Sequence, residues 1–257
     1  MSIATEITRL QTAKADIKTA IEAKGVTVPS TATLDTYDTY VSQISGGGGT
    51  NYLADYAAGT LSGAITSTQL GTSMGANMPM YFLNKQNNIT SVDLTGTGCT
   101  TIAFECCVNC TGLTNAIIPA TVTTIGEHLF YQCSNLATIT FKAPIGNPYA
   151  ICTECNSLTL VDLNSSVRNI KAKSFSSNST TTTANLLEVV LRRTTDMVTI
   201  ASGVGGDGSN APFRYRRNIK VYVPSALKAT YEADTTWAAA VTAGYLTFVN
   251  LEGSQYE

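Results

Sequence analysis

Ile118-Pro-Ala-Thr-Val-Thr-Thr-Ile-Gly-Glu-His-Leu-Phe-Tyr-Gln-Cys-Ser-Asn-Leu136 decides the fold, because this stretch connects two copies of one short motif. The motif is Leu or Ile, two residues, an apolar residue, one residue and a second apolar residue. Such alternation is typical of a short strand with one buried face. Outward from this stretch the motif recurs, with first residues 24, 23, 22, 28 and 32 positions apart. The copies begin at Ile89, Leu113, Leu136, Leu158, Leu186 and Asn218.

This spacing predicts a solenoid, in which each unit forms one coil and buries its apolar face only against neighbouring coils. The first three intervals have the length of leucine-rich repeats, and the last two predict surface insertions between Leu158 and Asn218. We therefore expect a mainly β solenoid over residues 89–224. A second inward position follows the motifs, at Ile102, Ile125, Ile170 and either Val198 or Ile200.

Both ends of the solenoid are expected to be closed by atypical units. Met80-Tyr-Phe-Leu83 ends six residues ahead of the first motif, which predicts a degenerate first repeat beginning near Leu61. Beyond Pro224 we expect a C-terminal cap, in which Tyr231 and Trp237 cover the last coil.

The units resemble the BspA-like type of leucine-rich repeat. The stretch from Ile118 to Leu136 follows the pattern of that family nearly residue for residue. The resemblance covers over half of the chain, weakens before Ile89 and after Leu163, and reappears at Val221-Tyr-Val-Pro224. It implies the solenoid fold and points to no particular partner.

Composition narrows the function classes. Only 13% of residues are charged and the net charge is -2, which disfavours nucleic acid as an electrostatic partner. No apolar run reaches the length of about 18 residues that a membrane span requires, so we expect no membrane insertion. The start, Met1-Ser-Ile-Ala-Thr-Glu, lacks the basic tip and apolar stretch of a secretory signal. We therefore expect a protein that is assembled in the cytoplasm.

The seven cysteines include two Cys-x-x-Cys pairs, which suggest a zinc site or a redox motif. The repeat register favours a different interpretation. Cys110, Cys133 and Cys155 each lie three residues before a Leu, at one equivalent inward position. Cys107, Phe130 and Cys152 occupy the equivalent position three residues earlier. We therefore predict reduced, buried thiols that pack as small apolar residues, and no metal site.

Catalytic and cofactor motifs are missing from the sequence. His128 is the only histidine, which leaves no material for a catalytic triad or a multi-histidine metal site, and we expect it to face solvent. Gly203-Val-Gly-Gly-Asp-Gly-Ser-Asn210 superficially resembles a phosphate or calcium loop, yet no Lys-Ser/Thr follows and only one carboxylate is present. We predict no catalytic residue, no cofactor and no enzymatic activity.

The segment from Arg168 to Lys220 contains nine cationic and three acidic residues, an excess of six positive charges. Because the predicted insertions fall in the same segment, it is a candidate contact with a negatively charged or aromatic partner. The alternative is a solvated basic face without a partner. The candidate contact residues are Arg192, Arg193, Phe213, Arg214, Tyr215, Arg216 and Arg217.

The N-terminal residues have helical periodicity. Five apolar residues spaced by four, three, seven and four positions share one helix face, and we predict that they mediate oligomerisation and anchoring. They are Ile3, Ile7, Leu10, Ile17 and Ile21. The helix is expected to end near Lys24-Gly25, a second helix to run over residues 33–44, and Gly46–Gly49 to form a hinge. The expected domains are residues 1–45, 46–50, 51–88, 89–224 and 225–257.

A second resemblance concerns about 40 of these N-terminal residues. The pattern Ala13-Lys-Ala-Asp-Ile-Lys-Thr-Ala-Ile-Glu-Ala-Lys-Gly25 is similar to a short module found near the start of many tailed-bacteriophage virion proteins. The resemblance implies attachment to other virion proteins, and it identifies no individual functional residue.

These patterns favour a bacteriophage virion protein, a fibre or a capsid or tail decoration. In it a helical N-terminus forms a homotrimer on the particle, and the repeats project outward to meet a host glycan or protein. The alternative is a bacterial surface adhesin with leucine-rich repeats, which the missing signal disfavours. An enzyme acting on host polysaccharide is a third hypothesis, and the lack of a paired-carboxylate motif makes it the weakest.

Overall fold

The computed structural model describes residues 3–22, 27–33, 36, 61–66, 77–143, 149–178, 187–201, 203 and 210–257. Within these ranges the chain winds into parallel coils, and each strand lies beside the equivalent strand of the next coil. The Gly46–Gly49 hinge and nearly all of the second N-terminal helix fall outside the described residues, as do most of the two predicted insertions.

One eight-stranded parallel sheet forms the long side of the solenoid, in the order β1-β3-β5-β7-β8-β10-β12-β13. Its inward ladder places apolar residues of successive coils directly beside one another. Val161 pairs with Val189, and Val189 with Val221, so the predicted register holds across both enlarged units. The strands are β1 (Ser62–Ile65), β3 (Asn88–Asp93), β5 (Asn115–Ile118), β7 (Thr138–Phe141), β8 (Leu160–Leu163), β10 (Glu188–Leu191), β12 (Ile219–Val223) and β13 (Leu246–Asn250).

Two small parallel sheets form a second side of the coils. Ile102 pairs with Ile125 in one sheet, and Ile170 pairs with Ile200 in the other, which resolves the choice between Val198 and Ile200. Met78 joins the first of these sheets, so the degenerate first unit is a real coil. The strands are β2 (Asn77–Met78), β4 (Thr101–Ile102), β6 (Thr124–Ile125), β9 (Asn169–Ile170) and β11 (Thr199–Ile200).

A ladder of left-handed turns forms the third side, which we call the turn edge. In each regular coil two residues four positions apart have positive φ, as in the pair Glu105 and Asn109 (φ 52° and 57°) and the pair His128 and Gln132 (φ 58° and 59°). Backbone N–H groups at these turns donate to carbonyls of the following coil; Asn109 N, for example, lies 2.9 Å from Tyr131 O. These inter-coil bonds hold a conformation that otherwise costs about 1 kcal/mol or more for a residue with a Cβ.

The core is a continuous column of apolar side chains, and all seven cysteines lie in it as free, buried thiols. Side chains at one repeat position stack along this column, and each is no more than 1% exposed. They include Leu83, Cys107, Phe130, Phe175 and Phe213. A cysteine follows three residues after several members of this stack, and its thiol donates to the backbone carbonyl of the stack member in the preceding coil. The Sγ–O distances are 2.8 Å for Cys110 and 2.9 Å for Cys133 and Cys155. The predicted cysteine ladder is therefore confirmed.

The C-terminal residues close the column and also extend it. Helices α2 (Ser225–Ala233) and α3 (Thr235–Thr242) bring Tyr231 and Trp237 over the last coil, where both are fully buried. Val198 N donates to Tyr231 Oη at 2.8 Å, and Trp237 Nε1 donates to Val198 O at 3.0 Å. The chain then adds β13 to the main sheet, an extra strand that the sequence pattern did not predict.

Helix α1 (Ile3–Glu22) confirms the helical periodicity of the N-terminus. Lys18 Nζ donates to Val28 O at 2.6 Å, which brings the segment after the helix back against its last turn. Among the described residues no helix combines the length and the apolar character needed to cross a membrane.

Candidate functional site

The predicted oligomerisation face of α1 is only partly available to a second subunit. Ile7, Leu10 and Ile17 are 50%, 45% and 42% exposed, and they form an apolar stripe without cover among the described residues. Ile21 corrects the prediction, because it is 2% exposed beside the segment that Lys18 holds. The side chain of Ile3 lies outside the described part of the chain.

Two of the predicted contact residues lie inside the protein. Phe213 is fully buried and stacks on Phe175, with ring centroids 5.9 Å apart. Arg216 is 2% exposed, and its guanidinium donates to three backbone carbonyls: Phe175 O at 2.6 Å, Leu158 O at 2.8 Å and Cys155 O at 2.6 Å. Neither side chain can reach a partner, so the contact prediction is wrong for both.

Arg216 takes the place of a cysteine in the thiol ladder. Its backbone N–H donates to Phe213 O at 3.0 Å, as the N–H of Cys133 donates to Phe130 O at 3.1 Å. Its Nε donates to Phe175 O one coil earlier, just as each ladder thiol donates to a carbonyl of the coil before it. Its other two guanidinium nitrogens donate to Leu158 O and Cys155 O. Burial lowers the pKa of Arg216 to about 10. The buried guanidinium of Arg216 therefore connects the last coil to the backbone of earlier coils, and we call these three hydrogen bonds the Arg216 staple.

Three other predicted contact residues, Arg192, Arg193 and Arg217, each interact with a different group of the same chain. Asp162 accepts two hydrogen bonds from Arg192, at 2.7 and 3.0 Å, and this hydrogen bonding raises the pKa of the arginine. Arg193 is 7% exposed and donates to Ser165 O at 3.1 Å, so it is unavailable as a contact and corrects the prediction. Arg217 lies 4.5 Å from the centre of the Tyr245 ring.

Arg214 and Tyr215 form a pair of their own, with the guanidinium 4.3 Å from the centre of the tyrosine ring. Arg214 Nε is buried and has no hydrogen-bond partner among the described residues. The seven predicted residues thus do not form one basic contact surface. Of them, Arg214 lines a groove.

This groove was not predicted from the sequence; it lies on the turn edge and has a volume of about 310 Å³. We call it the turn-edge groove. The side chains that define it come from four successive coils and from the last coil. They are Glu105, His128, Tyr131, Glu154, Lys173 and Arg214, with Thr153, Ser176, Ser177 and Asn178 between them.

His128 stands in the middle of an aromatic row within the groove. Its ring centroid lies 5.5 Å from Phe104 on one side and 5.5 Å from Tyr131 on the other. Its Nδ1 lies 3.8 Å from Glu105 Oε1, beyond hydrogen-bond distance, and no other residue in the described part of the chain forms a hydrogen bond with it. The side chain is 31% exposed, so the predicted solvent-facing position is only half right.

Glu154 is a fixed acceptor at the next position. Gln132 Nε2 donates to its Oε2 at 2.9 Å, and Asn178 Nδ2 donates to the same oxygen at 3.1 Å. Burial, and then the charge of Glu154, raise the pKa of Tyr131. The groove therefore combines oriented carboxylates, aromatic rings and cationic donors. Aligning the polar residues of successive turns by the repeat would have shown this grouping, because Glu105, His128 and Lys173 occupy one repeat position.

A second polar groove, of about 570 Å³, lies on the outer face of the main sheet. Here the carboxylate of Glu188 accepts from Tyr222 Oη at 3.0 Å, from Gln255 Nε2 at 3.3 Å and from Tyr256 Oη. Tyr256 also packs edge-on against Tyr222, with centroids 4.8 Å apart. The C-terminal residues are thus fastened over the last strands, where Val190 and Tyr222 are buried despite facing outward.

A metal centre is not formed by the side chains that the structure describes, because no three His, Cys, Asp or Glu residues among them are grouped to hold an ion. Burial raises the pKa of Cys133 and Cys155 well above the usual range of a thiol, which keeps these ladder members protonated and poor as metal ligands.

Comparison with known proteins identifies the repeats. A family model described as BspA type leucine-rich repeat region matches residues 77–192 in six copies. No curated protein matches the chain. The matched residues contain strands β2 to β10, the cysteine ladder and most of the turn-edge groove. Residues 77–192 are therefore BspA-type leucine-rich repeats wound into a parallel β solenoid.

Proposed function

We propose that this chain is a non-enzymatic, adhesin-like repeat protein, whose solenoid displays a binding surface and whose N-terminal helix attaches it to a larger assembly. The BspA-type repeats favour a surface or adhesin-like repeat protein. The observation that carries the proposal is the turn-edge groove, in which rigid stacked coils present oriented polar and aromatic side chains. Rigid scaffolds of this kind bind without a large cost of ordering.

The assembly that we propose is a bacteriophage particle, on which the chain forms a homotrimeric fibre or decoration. The exposed stripe of Ile7, Leu10 and Ile17 supports this finer proposal, because three large apolar residues on one helix face favour helix association. Display of many copies would make weak contacts with a host surface effective.

The oligomeric part of the proposal is tested by light scattering on the full chain. Replacing both Ile7 and Leu10 with Asn should convert a trimer to monomers, while the control Thr19→Asn, at an exposed residue on the opposite face of the same helix, should leave the trimer intact. A wild-type monomer, or a trimer that survives the double replacement, would contradict the anchoring role of the stripe.

Attachment to a particle is tested in the source strain. Antibodies raised against the full chain should detect it in density-purified phage particles after prophage induction. The competing candidate is a bacterial cell-surface adhesin, which the BspA-type repeats also favour. Detection in the bacterial envelope and not in the particles would select that candidate.

A further inference from the structure

We propose that the turn-edge groove binds a saccharide, taking one terminal sugar residue of a glycan. The inference rests on the proposed binding function and names the ligand class and the site. The volume of about 310 Å³ lies at the lower end of the range of about 300–1,000 Å³ for small-molecule pockets, which suits one sugar ring better than an extended polymer.

The charges of the groove favour a neutral ligand with many hydroxyl groups. Two carboxylates, Glu105 and Glu154, face two cations, Lys173 and Arg214, so the groove offers strong acceptors and strong donors without net charge. A sugar hydroxyl donates one hydrogen bond and accepts others, and therefore uses both kinds of group at once. A phosphate or sulfate would meet the two carboxylates, which repel it.

The aromatic row supplies the second element of sugar recognition. His128 and Tyr131 line the groove, and Phe104 packs edge-on against His128 at a centroid distance of 5.5 Å. One face of a pyranose ring is lined by C–H bonds, and such a face packs on aromatic carbon while the hydroxyls reach the polar rim. The combination of an apolar wall and a few convergent polar groups is typical of small-ligand sites.

Two polar atoms beneath the groove, His128 Nδ1 and Arg214 Nε, have no hydrogen-bond partner among the residues that the structure describes. Because both atoms are shielded from solvent, a ligand hydroxyl reaches them only if the side chain turns outward, so we assign recognition to the carboxylates, cations and rings that line the groove. Most other lining groups are already oriented. Glu154, for example, is held by two amide donors at 2.9 and 3.1 Å.

The backbone beneath the groove holds these side chains in a conformation that is strained for residues with a Cβ. Glu105, His128 and Lys173 have φ of 52°, 58° and 58°. Hydrogen bonds between coils maintain the geometry, among them Glu105 N to Glu127 O at 3.1 Å. The same turn conformation recurs in every regular coil, so it belongs to the repeat, and at the groove it fixes the backbone from which Glu105, His128 and Lys173 project.

The test uses saturation-transfer NMR on the full chain with methyl glycosides of glucose, galactose, mannose, fucose and N-acetylglucosamine. At least one probe should receive saturation. Tyr131→Ala and Glu154→Gln should each weaken the affinity for that probe by about tenfold, because each removes an aromatic face or a charged acceptor. Glu232→Gln, a matched change on helix α2, should leave the affinity unchanged. Circular dichroism and the melting temperature confirm that each variant is folded.

Two results would overturn the proposal: no transfer to any of the five probes, or transfer that both groove variants retain. Displacement of the sugar signal by inorganic phosphate at equal concentration would also overturn it, because the groove would then be an anion site. Trimer formation and particle attachment are measured separately, so the proposed function can stand when the saccharide site fails.

Discussion

Replacement of Arg216 by Met is the sharpest test of the solenoid as described. Met fills a similar volume but donates no hydrogen bond, so the carbonyls of Phe175, Leu158 and Cys155 lose their guanidinium partner. Cys155 O still accepts from Leu158 N at 3.2 Å, so losing the guanidinium there costs about 1 kcal/mol, whereas Phe175 O and Leu158 O lose the donor that satisfies them, at about 2 kcal/mol each. The loss is about 5 kcal/mol. Burying the charge costs about 3 kcal/mol, as its lowered pKa of about 10 indicates, and that cost disappears with the arginine. The net destabilisation is about 2 kcal/mol.

The assay is urea unfolding followed by circular dichroism, with the free energy of unfolding taken from the linear extrapolation. Arg217→Met is the matched control, because it removes the same kind of side chain one residue along. Its guanidinium packs over the ring of Tyr245 and donates to the carbonyl of Arg216 without being buried as Arg216 is, so the control should cost about 1 kcal/mol or less. If Arg216→Met unfolds within 1 kcal/mol of the wild-type chain, the buried staple is not what holds the enlarged coil together.

Three further predictions concern the core, the cap and the tail. All seven thiols should react with a disulfide reagent in denaturant and very slowly in the native protein, since all are buried; fast native labelling would contradict the cysteine ladder. Burial raises the pKa of Tyr231 to about 12 from its ordinary value of 10, so the neutral phenol stabilises the fold below pH 10 and that contribution is lost as pH rises through 12. Stability measured from pH 9 to 12 should therefore fall less steeply in Tyr231→Phe, and identical slopes would refute this origin. Burial and then Glu188 raise the pKa of Tyr256 to about 12; Glu188→Gln should lower it and speed removal of the C-terminal residues by carboxypeptidase, and an unchanged digestion rate would mean that Glu188 does not hold the tail.

The regular part of the fold could be predicted because its determinants are periodic. A shift of one residue in register would move the buried side chains of a strand to its solvent face. The alternation around Val161 and Val189 therefore fixes their pairing even across a 28-residue interval. The cysteines followed from the same register. The N-terminal stripe was harder, because Ile21 is buried while Ile7, Leu10 and Ile17 are exposed, and helical periodicity alone does not show which part of a helix face is covered.

The error at Arg216 has a specific physical origin. In a regular coil the inward strand residue lies six positions after the ladder cysteine, as Ile139 does after Cys133. Val221, by contrast, lies only five positions after Arg216. Because this turn is one residue shorter, counting back from the strand residue Val221 does not show that Arg216 points inward. The side chain of Phe213 is likewise part of the core. Composition then misleads, because arginines at neighbouring positions look alike in sequence while one bonds three carbonyls inside the protein and the next lies over a ring.

The staple and the turn-edge groove depend on the same join between coils. Phe175 N donates to Pro212 O and Ser177 N donates to Arg214 O, each at 2.9 Å, which places Arg214 beside the regular turns although 36 residues separate it from Asn178. Arg216 lies two residues later and ties that same strand of backbone to the carbonyls of Phe175 and Leu158. Arg214, one of the two cations that line the groove, is therefore supplied by the last coil, and Arg216 links that coil to the coils before it. Loss of the Arg216 contact should then disturb the groove as well as the core, because the same backbone segment carries both arginines.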